Sequence, residues 1–296
     1  LAAFTEESGI EVELVPSGDA GQVVNRSVLN ADNPLGDVLF GIDNTFLTRA
    51  LEADIFVPHE SPRLDVVDDR FELDPAEHRV TPIDHGEVCV NFDKSSGEPP
   101  ASFDELLDRA GDLVVENPAT SSPGLAFLLA TIAEYGEDGW QDWWRAAADA
   151  GVTVTSGWEE AYYTAFSGGS GEGDKPLVVS YATSPPVEVV FADPPVDDAP
   201  TGVVTSTCFE QIEMAGILRG TEHEEEAGQL IDFLLGDAFQ ADIPLQMYVF
   251  PVVDVELPEV FTEHAAIVES PLSMSPAEID EGRERWIDEW TSIVLG

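Results

Sequence analysis

The chain has 296 residues, with 59 acidic side chains against 12 Lys plus Arg and a formal charge of -47, which makes nucleic acid and anionic membrane surfaces poor partners. Its apolar content is ample for full cores, and no run approaches the roughly 18 consecutive apolar residues of a membrane span. The charge reads first as a solvated acidic surface, with attraction of a cationic ligand acting on top of it.

Leu1 to Gly9 reads as the last turns of a helix stopped by Gly9, so the numbered chain is expected to begin inside an element. Short β-like runs then alternate with amphipathic segments: a strand at Glu11–Val15, a helix from about Gly18 to Leu29, a strand at Asp37–Phe40 and a helix from Asn44 to Glu52. A strand around Val88–Phe92 is followed by Ser102-Phe103-Asp104-Glu105, a capping-box pattern that opens a helix. A second α/β series continues with a strand at Asp112–Val115, a helix at Pro123–Tyr135, a Trp-rich helix at Gly139–Ala148 and a strand at Val152–Thr155. After these come a helix beyond Trp158, a strand at Leu177–Tyr181 and a helix from about Pro185 to Phe191. A proline-broken connector spans Asp193 to Gly202, Val203 to Met214 is strand-like, and later helices cover Glu222–Leu235, Asp237–Ala241 and Pro276–Ile293. Two α/β halves joined by long strands predict two lobes with a ligand cleft between them. Gly168 to Gly173 reads as a flexible loop, because it lacks the GK[ST] ending and the preceding strand of a phosphate loop.

The chemistry is that of binding more than of reaction. Trp158 and Tyr181 stand at a helix start and a strand end, rim positions from which a ring reaches a flat or cationic ligand, although either could also be a core residue. Ser121 and Ser122 precede Pro123 at a helix start, where hydroxyls and free N–H groups suit a carboxylate, phosphate or hydroxyl, or simply cap the helix. Asp19 and Asp43 lie in corresponding strand-to-helix turns and read as caps or as partners for a cationic group. Trp140, Trp143 and Trp144 have the spacing of a packed helix face, and one of Tyr162 and Tyr163 should face inward and the other elsewhere. The five His residues have no metal-ligand spacing and no GxSxG elbow occurs, so no metal ligand and no catalytic residue is assigned. Cys89 and Cys208, both in strand-like runs, are consistent with a disulfide or with two buried thiols.

At these residues the chain resembles the thiamine-binding solute-binding proteins of ABC transporters, within the type II periplasmic binding protein family. The resemblance is carried by VPSGDAGQVVNR (15–26), DVLFGIDN (37–44), ENPATSSPGLAFLL (116–129), VTVTSGWEEAY (152–162), LVVSYATSPP (177–186) and DFLLGDAFQADIP (232–244), with PVVDVELP (251–258) and RERWIDEW (283–290) also fitting. It implies an α/β, two-lobed fold joined by hinge strands, with 1–86 and 208–296 in one lobe and 87–207 in the other. It places Asp19, Ala20, Ser121, Ser122, Trp158 and Tyr181 at a thiamine site, with Thr183 and Ser184 continuing the last loop and Tyr248 at a position that is commonly Trp. Val187 stands where the family often has a further Tyr, and the family's first strand would precede Leu1.

The function so implied is capture of thiamine or a phosphate ester by a monomer, periplasmic or at the cell surface, and delivery to the permease and ATPase subunits of an ABC importer, with no cofactor and no nucleic acid. A ferric-ion binder of the same fold is the first alternative, disfavoured because Tyr181 is followed by Ala182 where that group has adjacent tyrosines. A thiaminase-like enzyme is the second, and would need Cys89 or Cys208 as a nucleophile.

Overall fold

A computed structural model describes residues 1–15 and 20–296. In chain order its elements are α1 (Ala2–Ser8), α2 (Ala20–Leu29), β1 (Val38–Asp43), α3 (Leu47–Glu52), β2 (Phe56–Val57), β3 (Thr81–Asp93), α4 (Phe103–Leu107), β4 (Leu113–Glu116), α5 (Ser122–Tyr135) and α6 (Trp140–Ala150). There follow β5 (Thr153–Thr155), β6 (Leu177–Tyr181), α7 (Ser184–Val190), β7 (Thr201–Leu218), α8 (Glu224–Leu234), α9 (Asp237–Gln240), α10 (Ile243–Gln246), β8 (Phe250–Pro251), α11 (Glu259–His264) and α12 (Pro276–Val294). The chain divides into two compact units, Leu1–His85 with Ile212–Glu256, and Gly86–Gln211 with Leu257–Gly296. The long strands β3 and β7 each run from one unit into the other.

In the first unit β1 lies antiparallel to the end of β7, from Val38↔Ile217 to Asp43↔Glu213, and β2 pairs antiparallel with the other side of that end, through Phe56↔Leu218 and Val57↔Ile217. The β1 register shifts between Phe40 and Ile42, where Gly41 takes φ 89°, a conformation that only glycine adopts without cost. Val24, Ile42, Ile83, Met214, Ile231 and Val252 belong to one buried core there. The expected helix ending at Gly9 is present, with Gly9 at φ 74° closing α1 through its N–H to the Thr5 carbonyl. The expected strand at Glu11–Val15 does not form, and Leu14 and Val15 are exposed. β-propensity describes fit to a paired, half-buried surface and does not hold an extended run in a ladder by itself.

The second unit orders its strands β3-β6-β4-β5, with β6 antiparallel to Val88–Phe92 of β3 and parallel to β4. Helix α5 is buried over almost its whole length, as its SPGLAFLLATI sequence requires. Trp143 and Trp144 of α6 meet Phe127 edge-on at 6.1 and 5.9 Å, and Trp290 of α12 meets Trp144 at 5.5 Å. That contact corrects one boundary: residues 257–296, expected in the first lobe, pack with the second unit. The reason is that α12 sets the Trp290 ring against Trp144 of α6, while the Trp286 indole N–H donates to Glu137 just before α6. Cys89 of β3 and Cys208 of β7 form a disulfide within this unit, which decides between the two readings that composition left open.

The glycine-rich stretch also departs from expectation. A Cβ at Gly168 would lie 2.6 Å from the Phe166 ring, at Gly171 2.3 Å from the Phe166 carbonyl oxygen and at Gly173 2.0 Å from the Ala165 carbonyl oxygen. These residues are small because the chain is packed against them, a cause that composition does not distinguish from flexibility.

Candidate functional site

Strand β4 ends at Glu116, and the turn after it leads to Ser121, which caps α5 by accepting the Gly124 N–H at 3.4 Å. Ser122 follows at the first helical position, with its hydroxyl 3.4 Å from the Gln211 side-chain nitrogen. Gly124 is required here, since a Cβ would lie 2.5 Å from the Glu116 carbonyl oxygen. Burial holds the Glu116 carboxyl well above the usual range, and neither of its oxygens has a hydrogen-bond partner among the described residues.

Trp158 stands two residues before one turn of π-helix, Glu160–Ala165, closed by the Phe166 N–H on the Ala161 carbonyl at 3.0 Å. Its indole N–H donates to the Ser180 hydroxyl at 2.9 Å, the Ser180 and Ser184 hydroxyls bond each other at 2.8 Å, and the Tyr181 N–H donates to Ser184 at 3.2 Å. The structure thus joins Trp158, Tyr181 and Ser184 through Ser180, a residue that the sequence reading did not single out. Thr183 and Ser184 are buried, and Thr183 stands just before α7. Tyr181 and Trp158 are half-buried.

Tyr162 is buried and stacks on Trp158 at 5.1 Å with 23° between planes, whereas Tyr163, 43% exposed, meets the same ring edge-on at 5.5 Å. One tyrosine is therefore inward and the other outward, yet both touch Trp158, because the wide turn relaxes the usual angular separation of adjacent helical positions. The Tyr162 hydroxyl donates to Glu188 Oε1 at 2.7 Å. Burial, and then the Glu188 charge, push the Tyr162 phenol far up, so it remains a neutral donor.

In the first unit Asp43 closes β1 and is fully buried, its Oδ1 accepting the Thr45 N–H at 2.9 Å and the Thr45 hydroxyl at 2.5 Å. Asp43 is not the helix cap, since the N-cap of α3 is Phe46 without a side-chain bond; its carboxylate instead shapes the turn that leads to α3. Across the ladder Glu213 is pushed up to about 7 by burial and by the Asp43 charge. Burial and then Glu213 hold Asp84 well above its ordinary value as well, and neither Asp84 oxygen has a hydrogen-bond partner among the described residues. Tyr248 is half-buried and takes φ 59°, a left-handed conformation that costs a tyrosine roughly 1 kcal/mol. Ala20 is the first residue of α2, and Asp19 lies outside the described residues.

Residues 33–267 match the family model described as bacterial extracellular solute-binding protein. The chain belongs to this family. Among curated relatives of this solute-binding protein, it is 31% identical over 297 residues to the thiamine-binding periplasmic protein of Salmonella typhimurium, covering 99% of this chain and 86% of that one. A solved periplasmic thiamin binding protein superposes with a TM-score of 0.86 at 29% identity, covering 99% of this chain and 89% of the other. The ferric binding protein from Campylobacter jejuni, at TM-score 0.81 but 16% identity over 99% of this chain and 94% of that one, shares the fold alone.

Proposed function

We propose that this solute-binding protein captures thiamine or one of its phosphate esters outside the cytoplasm, in the periplasm or at the cell surface. It then hands the ligand, as a monomer without chemistry of its own, to the permease and ATPase subunits of an ABC importer. The observation that carries the reading is the half-buried Trp158, braced by Ser180 of β6 and by the Tyr162 ring, in a chain 31% identical to a protein named for thiamine binding. The thiazolium of thiamine carries a fixed positive charge and its aminopyrimidine is flat and polar. Stacking or cation–π contact with Trp158, Tyr181 and Tyr248 contributes about 0.5–2 kcal/mol per ring. Asp19, beside Ala20, offsets the charge or accepts from the amino group. Ser121, Ser122 and the N–H groups of α5 take the hydroxyethyl end or its phosphate. Asp43 acts by holding the turn after β1, and Thr183 and Ser184 by shaping the loop after β6.

The two other readings are less well supported. Ala182, beside Tyr181, is buried with its N–H on the Glu87 carbonyl, and Tyr162, the other inward tyrosine, is committed to Glu188. Neither offers the tyrosinate pair of an iron binder. An enzyme using a cysteine nucleophile has no free thiol here while Cys89 and Cys208 remain bonded.

Titration calorimetry with thiamine, its monophosphate and its diphosphate tests the reading. Trp158→Ala is expected to weaken the preferred form at least about tenfold, or 1.4 kcal/mol. Unchanged affinity removes Trp158 from the site, and absence of binding by all three forms ends the thiamine reading.

A further inference from the structure

We infer that Tyr162 and Glu188 form a positioning pair that sets the plane of the Trp158 indole. The inference rests on the proposed role of Trp158 at the ligand, although its structural half can be tested without any ligand.

Trp158 follows Gly157 and is only half-buried, so packing around it does not by itself fix its ring. One edge of the indole is tied by the N–H to Ser180, a single bond about which the ring can still tilt. Tilt is removed by the Tyr162 ring lying against its face at 5.1 Å. Tyr162 is in turn held at its far end, where its hydroxyl donates to Glu188 Oε1 at 2.7 Å. Glu188 is itself well anchored: it lies on α7, is 7% exposed and also accepts the Ser170 hydroxyl at 2.9 Å on the same oxygen. Gly169 shows how closely the segment around Ser170 is fitted to that carboxylate. It takes φ 55°, and a Cβ there would lie 2.3 Å from Glu188 Cδ, so only glycine meets both demands.

Core packing alone would require a Phe at 162 and nothing charged at 188. A carboxylate taken almost wholly out of water loses hydration, which hydroxyl donors must replace. Here they come from the residue stacked on Trp158 and from the adjoining loop. The geometry keeps a large aromatic face in one orientation before a ligand arrives, which lowers the ordering cost of binding.

The test uses Tyr162→Phe, which removes only the hydroxyl, and Glu188→Gln, which keeps the shape, in the full chain. The first readout is the near-UV circular dichroism of the ligand-free protein, taken as a difference from Trp158→Phe so that the other five tryptophans cancel. The second is thiamine affinity in Tyr162→Phe, Trp158→Ala and the double variant. Both conservative variants are expected to diminish the Trp158 dichroism and to weaken thiamine by about fivefold, and Tyr162→Phe is expected to add nothing once Trp158 is Ala. An unchanged dichroism in Tyr162→Phe and Glu188→Gln overturns the inference. So does an equal loss of affinity in the Trp158→Ala background, because Tyr162 would then act on its own account. If Trp158→Ala binds thiamine normally, the functional reading fails while the dichroism still decides the positioning. A cooperative melt for either variant shows that the fold is kept.

Discussion

The covalent link between β3 and β7 gives the most direct test of the fold. Cys89 and Cys208 are separated by 119 residues and are 0% and 1% exposed, against the buried Ala182. Closing a loop of that length removes roughly 16 cal/mol/K of entropy from the unfolded chain, so breaking it costs about 5 kcal/mol at 25 °C. Alanine at both positions is the cleaner perturbation, since serine would place two hydroxyls in an apolar pocket. With an unfolding entropy of about 2.1 cal/mol/K per residue for the whole chain, the double alanine variant should melt about 8 °C lower, and further still if the second unit melts alone. Scanning calorimetry of the two proteins gives the difference, and the parent in excess reductant should follow the variant. A shift below about 2 °C would show that the unfolded chain is already constrained by other means. Two thiols titrating in the unreduced, denatured parent would remove the bond itself.

Other outcomes follow from the buried acids and the surface charge. Glu213 has a folded-state value of about 7 against its ordinary 4.5, so the native state holds a proton that the unfolded chain has released. The Glu213 contribution to stability should therefore fall as pH rises from about 4.5 to about 7 and level off above, and Glu213→Gln should remove that part of the slope, gaining at most roughly 3 kcal/mol at pH 8. A denaturant midpoint that rises over the same window contradicts the assignment. The charge of -47 predicts a melting temperature that climbs from low to molar salt, and a fall would mean that self-repulsion is not limiting.

The parts of this structure that were legible in the sequence are those fixed by residues close together along it. Gly9 stops α1, Ser121 caps α5, and Leu177–Tyr181 forms the strand that its apolar run suggested. The capping-box pattern at Ser102 was half right: Ser102 accepts the Glu105 N–H, but the Glu105 carboxylate reaches back to the Ala101 N–H. Tyr162 stands four residues after Trp158, a spacing that places it near the indole, yet nothing local marks Glu188 as its partner 26 residues on. Ser180, alternating within an apolar strand, carried no signal until β6 and the π-turn were brought together. Asp84 and Glu213 are likewise ordinary acidic residues until the strands that carry them are buried. The assignment of 257–296 failed for a related reason, since the tryptophans of α12 mark it as packed without saying against what.

The tight seat of Gly168, Gly169, Gly171 and Gly173 bears on how this molecule can be altered. By composition that stretch is the obvious place to splice a tag, a reporter domain or a dye-bearing residue. The structure argues the reverse, because added bulk there would press on Phe166 and Glu188 and, through Tyr162, twist the ring proposed to sense the ligand. A silent label belongs elsewhere, on exposed positions such as Leu29 or Ile267. The glycines, used deliberately, are instead a handle for detuning Trp158 from a distance.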